Sequence, residues 1–533
     1  VCHSSLDRNR GIIFLPVFKT IIMNRDGATK SLWQAGMEDY DSKEQVINQK
    51  EFDVVIAGGG ITGITTGLQL QKSGKKCLIV EAHNLCYGTT GGTTAHLNTF
   101  LDTTYDQIEK DFGEDAARLV AGATVEALNL YQSNIENYHI ECGYAQKDAY
   151  VYSRDKKQTE ELEKMYEAAR RVGVSAAYID RIPVPVEFEK AMVLHDQAQV
   201  HASKYVYALA KAFEEAGGVI VQHCSVLKFE SDKWLDIETS KGLVKAQYLI
   251  WATHIPPGIN LLHFRCAPYR SYAMAVTLKD DSYPGQLAYD LYDPYHYYRT
   301  QEVDGQKYLI VGGEDHKTAH EENTEACLTR LEAHVRTYYQ VDTVAFKWSS
   351  QYFEPADGLA YIGQLPGNPH NVMVATGFGG NGMTYSHIAA ITLSEMILKG
   401  ESRFGKLFDP GRIKPVAGFM NFVKENADVV AQFVGKRIHA EKLKELSGLA
   451  PGEAKLVKYE GDMLAIYKDE SGMIHALNPV CTHAKCVVGW NSAEKSWDCP
   501  CHGARYSVEG EVLTGPARQA LEKVQLVELM NKE

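Results

Sequence analysis

FDVVIAGGGITGITTGLQLQKSGKKCLIVE, residues 52–81, reads as strand, glycine turn, helix and strand in succession. FDVVIA is a short apolar run of the kind that fills a buried strand. Gly58-x-Gly60-x-x-Gly63 follows it and opens a segment with helical spacing that stops at Gly74. KKCLIVE then supplies a second strand. In such a βαβ unit the first glycine permits the tight turn, the second lets backbone approach a pyrophosphate, and the third lets helix pack on strand. The helix N-terminus favours the phosphate charge. Glu81 ends the second strand, 18 residues past Gly63, where a carboxylate can accept hydrogen bonds from a ribose. The stretch predicts a dinucleotide site on a Rossmann-like α/β domain.

Outward from this unit, segments 105–139, 157–172 and 383–398 have helical spacing. Strand-like runs recur at 219–228, 244–252, 272–278, 307–312 and 371–375. Such interleaving predicts a mixed α/β body with an inserted antiparallel sheet, over 51–400. Residues 401–445 read as a helical connector. From 446 to 533 short strands alternate with Gly, Pro and Asp turns, which predicts a small all-β domain. Residues 1–50 read as an N-terminal extension, partly disordered, with 23–50 polar and helix-poor. The apolar run GIIFLPVFKTII (11–22) is broken by Pro16 and Lys19 and makes a poor signal segment.

The small β segment contains C-T-H at 481–483 and C-P-C-H at 499–502, with 15 residues between His483 and Cys499. A cluster of two irons and two sulfides needs four ligands from two close loops. Thiolates on one iron and imidazoles on the other make a Rieske centre. Cys481 and Cys499 would be the thiolates, and His483 and His502 the imidazoles. Neutral imidazoles raise the potential to roughly -150 to +300 mV, against about -400 mV for four thiolates. Zinc takes the same ligand types and stays open as an alternative.

Residues 446–530, with G-x-V-x-x-G-P-A at 510–517, resemble Rieske domains. That resemblance implies a disulfide between Cys486 and Cys501, one on each loop. It departs at Lys485, where Rieske loops commonly have Gly, and at Ala504, where they commonly have a Ser hydroxyl on a cluster sulfur. Tyr506 matches a second donor. One lost donor places the expected potential in the lower or middle part of the Rieske range.

Residues 50–400 resemble the D-amino-acid-oxidase-like FAD-dependent oxidoreductases. The matching segments are GTTGGTTAHLNT (88–99), GGVIVQHCSVLK (217–228), LIWATH (249–254) and GFGGNGMTYS (377–386). The resemblance implies FAD, with Val226 meeting the adenine through its backbone and Ala252 near the phosphates. Gly380, Gly382 and Met383 would approach the flavin ring and stabilise its reduced form through N–H groups. It also implies an amine or amino-acid substrate that gives a hydride to the flavin. An Arg commonly clamps a substrate carboxylate, because its fork matches two oxygens. Arg299 in YYR (297–299) is the expected clamp, Arg270 a second candidate, and Tyr298 a pocket residue. His96 lies in a loop expected to face the flavin and is a candidate for covalent attachment. Only one G-x-G-x-x-G occurs, so a second nucleotide as electron donor is not expected.

The remaining composition sets outer bounds. Net charge is -13 over 533 residues, which disfavours nucleic acid as a partner. No run approaches the roughly 18 apolar residues of a membrane span. Seven of the 11 cysteines stand alone and four crowd into 481–501. That pattern suits a reduced, cytoplasmic protein with one local site. The expectation is a dehydrogenase that passes electrons from FAD through the [2Fe–2S] cluster to an external acceptor. Its rivals are a redox sensor without turnover, an oxidase of a hydroxy acid, a Rieske-fed oxygenase and a folded relic without cofactors. The oxygenase would need a further iron site for which no domain remains.

Overall fold

The computed structural model describes residues 25–43, 46–292, 294–413, 441–442, 449–459 and 462–525. The expected disorder of 1–22 and most of the expected connector at 401–445 fall outside these residues.

Strand Glu51–Ala57 lies inside an eight-stranded sheet. It pairs in parallel with Cys77–Val80 on one side and Gly242–Trp251 on the other. Helix Ile61–Lys72 makes the crossover between the first two strands. Val54, Val55, Ile56, Leu78 and Ile79 are all fully buried. Parallel strands covered on both faces read as continuous apolar runs for this reason.

A nine-stranded, mainly antiparallel sheet stands beside the first. Its long strands Cys266–Leu278 and Val341–Pro355 pair along nearly their whole length. Alternation divides its faces: Ala273 and Ala275 join the main core, while Tyr272, Met274 and Val276 join the core under helix Thr324–Tyr338. Two expected elements are interrupted. The helix expected over 105–139 divides into Tyr105–Phe112 and Glu114–Tyr138 at Gly113, whose φ is 95°. The strand expected over 219–228 divides into Val219–Val221 and Val226–Ser231 around His223, at φ 52°.

Two four-stranded antiparallel-rich sheets form the C-terminal β body. Its contact with the larger body is built from buried charge. Arg25 meets Glu494 at 2.5 and 2.6 Å, Arg505 meets Asp26 at 3.1 Å and Asp498 at 3.0 Å, and Arg270 meets Asp498 at 3.7 Å. Residues from 25 onward therefore pack into the molecule instead of extending from it. Arg25, Asp26, Leu32 and Trp33 are buried. The Trp33 indole N–H donates to the Thr93 carbonyl.

Candidate functional site

The carboxyl ends of the parallel strands meet in one crevice, the usual ligand position of such sheets. Gly58, Glu81 and Ala252 follow three adjacent strands and are tied there: Gly58 N to Val80 O at 2.8 Å, Ala252 N to Ala57 O at 2.9 Å, and Glu81 N to Val221 O at 3.0 Å. A Cβ on Gly58 would stand 2.3 Å from Ala252 O, and one on Gly63 1.9 Å from Gly58 O. Only glycine permits these approaches. Thr90 Oγ1 stands 2.9 Å from where a Gly60 Cβ would lie, which closes the loop over the helix start. Glu81 accepts from Gly59 N at 2.6 Å and from His83 N at 2.9 Å. Burial raises its carboxyl, and these N–H groups oppose the rise. Val226 packs in the same core as Ala57, Val80 and Trp251, at this end of the sheet. The glycine cradle, helix start and carboxylate fit a dinucleotide.

The second glycine loop, 377–382, opens helix Gly382–Lys399, which no side chain caps. Its free first-turn N–H groups suit a developing negative charge. Nothing lies within 4 Å of a Cβ on Gly382, and Met383 is buried. Gly380 departs from expectation. Its N–H goes to Asp102 Oδ2 at 2.7 Å. Loop 88–99 packs alongside, with His96 ringed by Tyr289 and Tyr297. His96 Nδ1 meets Thr94 Oγ1 at 3.2 Å, while Nε2 is buried without a hydrogen-bond partner. Burial, with Arg299 nearby, holds His96 well below its ordinary pKa.

In the β body, Cys481, His483, Cys499 and His502 come together at the tips of two loops. A disulfide between Cys486 and Cys501 joins these loops. Cys481 and Cys499 are buried free thiols. The His483 and His502 rings stand 5.0 Å apart, and Nδ1 of each is buried without a hydrogen-bond partner. His483 Nε2 is engaged with Gly258 O at 3.1 Å. Metal-bound imidazoles commonly hold a carbonyl with the second nitrogen in this way, which leaves Nδ1 for iron. Burial pushes His502 down to about 3 and lowers His483 as well. Both are therefore neutral, the form that binds metal. Hydrogen bonding from Cys499 lowers Cys481 and raises Cys499 in turn. Tyr506 Oη is 3.1 Å from Cys481 Sγ. Lys485 takes φ 64°, and Ala504 is buried beside Cys499, whose N–H its carbonyl accepts at 2.8 Å. Two thiols and two orphaned imidazole nitrogens fit a [2Fe–2S] cluster.

Strand Val341–Pro355 touches both the cluster loop and the second glycine loop. Gln351 Nε2 donates to Gly503 O at 2.8 Å, next to His502. Two residues along, Phe353 O accepts Gly379 N at 3.0 Å, in the second glycine loop. A Cβ on Gly503 would press on Gln351, Pro268 and Phe353. Residues two apart on a strand are separated by about 7 Å.

Three sequence candidates sit elsewhere than expected. Arg299 is fully buried, and its guanidinium serves Thr94 O at 2.8 Å, Ala95 O at 2.7 Å and Val200 O at 3.2 Å. It braces loop 93–95 and is not presented to a ligand as a fork. Burial lowers it to about 9. Tyr298 faces the opposite side of the sheet, packed with Tyr152, Leu331 and Val335, and its hydroxyl meets His334. Strand alternation assigns it to that side. Arg270 belongs to the buried charge contact, with Nη1 on Ser349 Oγ at 2.6 Å. The residues that do gather beside Gly379 and Gly380 are Asp102 and Glu354. They carry no linear motif that could have pointed to them.

Comparison with known proteins agrees with both halves of this arrangement. Residues 53–396 match the family model described as FAD dependent oxidoreductase, and 439–525 match the Rieske [2Fe-2S] domain. A Bacillus subtilis (strain 168) protein, YhfW, whose name describes a Rieske 2Fe-2S iron-sulfur protein, is 31% identical over 94% of this chain and 98% of its own. Gamma-glutamylputrescine oxidoreductase of Escherichia coli (strain K12) is 23% identical, over 70% of this chain and 90% of its own. The crystal structure of glycine oxidase from Geobacillus kaustophilus superposes with a TM-score of 0.58 at 17% identity, over 68% of this chain and 100% of its own. Among the described residues no helix is long and apolar enough to cross a membrane.

Proposed function

The chain belongs to the FAD dependent oxidoreductase family and ends in a Rieske [2Fe-2S] domain, and from that premise we propose that it dehydrogenates an amine or amino acid and sends the electrons through the cluster to an external acceptor. FAD supplies hydride acceptance, two electrons at once, and the cluster supplies one-electron transport. Oxidation of a C–H bond beside nitrogen releases a hydride equivalent and leaves a C=N bond that water hydrolyses.

The chain's own residues hold and orient these groups. Gly58, Gly60, Gly63 and Glu81 would hold the nucleotide, and Gly382 and Met383 would offer N–H groups to the ring. Cys481, His483, Cys499 and His502 would hold the cluster. The observation that carries the proposal is the short bridge on strand Val341–Pro355: Gln351 on the cluster loop and Phe353 on the ring loop. A strand that touches both loops supports electron transfer within one chain. The gamma-glutamylputrescine and the glycine in two of these proteins' names bracket the proposed substrate class.

The test is anaerobic. The loaded protein is mixed with a panel of amines and amino acids while flavin absorbance and the cluster EPR signal are followed. One compound is expected to bleach the flavin and then raise the signal of the reduced cluster. Bleaching with no cluster reduction, at any substrate concentration, overturns the relay.

A further inference from the structure

The segment that leaves the nucleotide crevice after Ala252 runs onto the histidine side of the cluster loops. Gly258, at φ 82°, turns both of its backbone groups toward the β body. Its N–H reaches Pro516 O at 3.4 Å, and its carbonyl accepts His483 Nε2 at 3.1 Å. Arg518 adds a third tie, with Nη1 donating to Leu227 O at 2.8 Å. The short helical turn Leu261–Phe264 follows, closed at its start by Asn260, whose Oδ1 accepts Leu262 N at 3.0 Å. This turn sets His263 against both ligand imidazoles. Its ring meets His483 at right angles with centroids 4.6 Å apart, and tilts against His502 at 5.7 Å. Phe264 also meets His502, at 5.7 Å.

His263 is itself fixed. It is buried. Its Nε2 donates to Pro256 O at 2.8 Å, so Nδ1 is the acceptor and takes Asn260 N at 3.3 Å. With both nitrogens engaged inside its own segment, His263 has no lone pair left for iron. The ligand rings are held differently from each other. His483 has the Gly258 carbonyl, the usual outer partner of a metal-bound imidazole. His502 has none: with Nδ1 assigned to iron, its Nε2 is buried without a hydrogen-bond partner among the described residues. In place of such a partner the His502 ring has the rings of His263 and Phe264 packed on it.

We propose that His263 is a positioning residue of the cluster: its ring orients both ligand imidazoles and keeps water off their side, so that the flavin-binding half of the chain sets the cluster potential. This rests on the four-ligand reading of the Rieske centre and adds to the relay a residue from outside the β body. The sign follows from charge. Reduction adds one negative charge to a cluster held by two thiolates and two neutral imidazoles. Excluding water withholds solvation from that charge and keeps the potential low. Opening the contact admits water, and the potential rises.

The test is a mediated redox titration of the full-length, cluster-loaded protein, followed by EPR. At the wild-type midpoint, His263→Ala is expected to shift the ratio of reduced to oxidised cluster at least tenfold toward reduced, about 59 mV for one electron. Its EPR lines are expected to broaden as the His502 ring loses a fixed orientation. His263→Phe keeps a ring there and is expected to stay within threefold of the wild-type ratio. A lower melting temperature for His263→Ala with an unchanged midpoint overturns the proposal, because the residue is then only structural. A midpoint for His263→Phe displaced as far as that of His263→Ala overturns it too. Should His263→Ala lose its cluster, the wild-type protein in D2O serves instead. Deuterium modulation of the reduced cluster's spin echo is expected to be no stronger than the exchangeable protons of the chain account for, and a water contribution beyond them overturns the proposal. Mediators set the potential, so the titration needs no substrate. Failure of every amine and amino acid to bleach the flavin overturns the dehydrogenase reading alone, and an unchanged midpoint overturns this inference alone.

Discussion

Arg25 and Glu494, 469 positions apart in sequence, close on each other through two N–H···O contacts of 2.5 and 2.6 Å with both side chains almost wholly buried. Glu494 also accepts Ala28 N at 2.9 Å and Ser349 N at 2.8 Å. One carboxylate thus joins the N-terminal segment, strand Val341–Pro355 and the β body. The charges of Arg25, Arg270 and Arg505 hold it below the usual carboxylate range, against burial. This contact makes the β body a fixed partner and not a swinging carrier.

Removing the negative charge should loosen that contact. Glu494→Gln removes the carboxylate held by both N–H contacts and leaves Arg25 with Asp26 as its remaining ion-pair partner, 3.1 Å away; breaking a buried pair costs about 3–5 kcal/mol. Denaturant unfolding is expected to show a lower midpoint, and limited proteolysis to separate the β body from the rest. An unchanged midpoint with wild-type protease resistance would count against a locked interface.

Cluster potential should respond to Tyr506. Its hydroxyl stands 3.1 Å from Cys481 Sγ, and a donor to a cluster thiolate favours the reduced state. Tyr506→Phe removes about 1 kcal/mol of preference, or ~40 mV for one electron. Redox titration followed by EPR should show the potential fall by that order. A rise would contradict the assigned donor.

Flavin content should depend on Gly63. A Cβ there would lie 1.9 Å from Gly58 O, so helix Ile61–Lys72 would have to move off the strand it packs on. Gly63→Ala is expected to purify with less than about a tenth of the wild-type FAD, since one displaced loop costs several kcal/mol of binding. The β body should keep its cluster, visible by its own absorption. Full flavin content would remove this loop from the binding site.

Stability should depend on pH through Asp315. Burial pushes its carboxyl up to about 6 from an ordinary 3.8, and the Asp102 charge adds to the rise. A carboxyl raised on folding destabilises the native state once it must ionise. The penalty is absent below about pH 4, grows between pH 4 and 6, and is complete above. Asp315→Asn should therefore stabilise the protein at pH 7–8 by about 1–2 kcal/mol, allowing for partial exposure of the residue. The two proteins should converge near pH 4. Thermal melts across this range measure it. A variant less stable than wild type at pH 8 would refute the sign.

Legibility differed between the parts for physical reasons. The nucleotide cradle and cluster ligands are local motifs. Close backbone approach at Gly58 and Gly63, or two ligands on one short loop, constrains residues only a few positions apart. Arg299 and Tyr298 show where local reading runs out. Adjacent residues on a strand point to opposite faces, so at most one of them could face the site, and Arg299 finds backbone carbonyls before it finds a ligand. Residues 25–34 looked like a tail because they form no helix or strand. Their burial depends on Glu494, Ser349 and Thr93, far away in the chain.

By itself the amino-acid sequence determined the fold class and pointed to a glycine cradle and four candidate cluster ligands, because each rests on short-range spacing that sterics and coordination chemistry restrict tightly. Tertiary structure alone decided that one strand touches both the Gly503 loop and the Gly379 loop, and that the Arg299 guanidinium braces backbone carbonyls. Those facts arise where strands distant in sequence pair and pack, and no local pattern records which side chain meets which across such a contact.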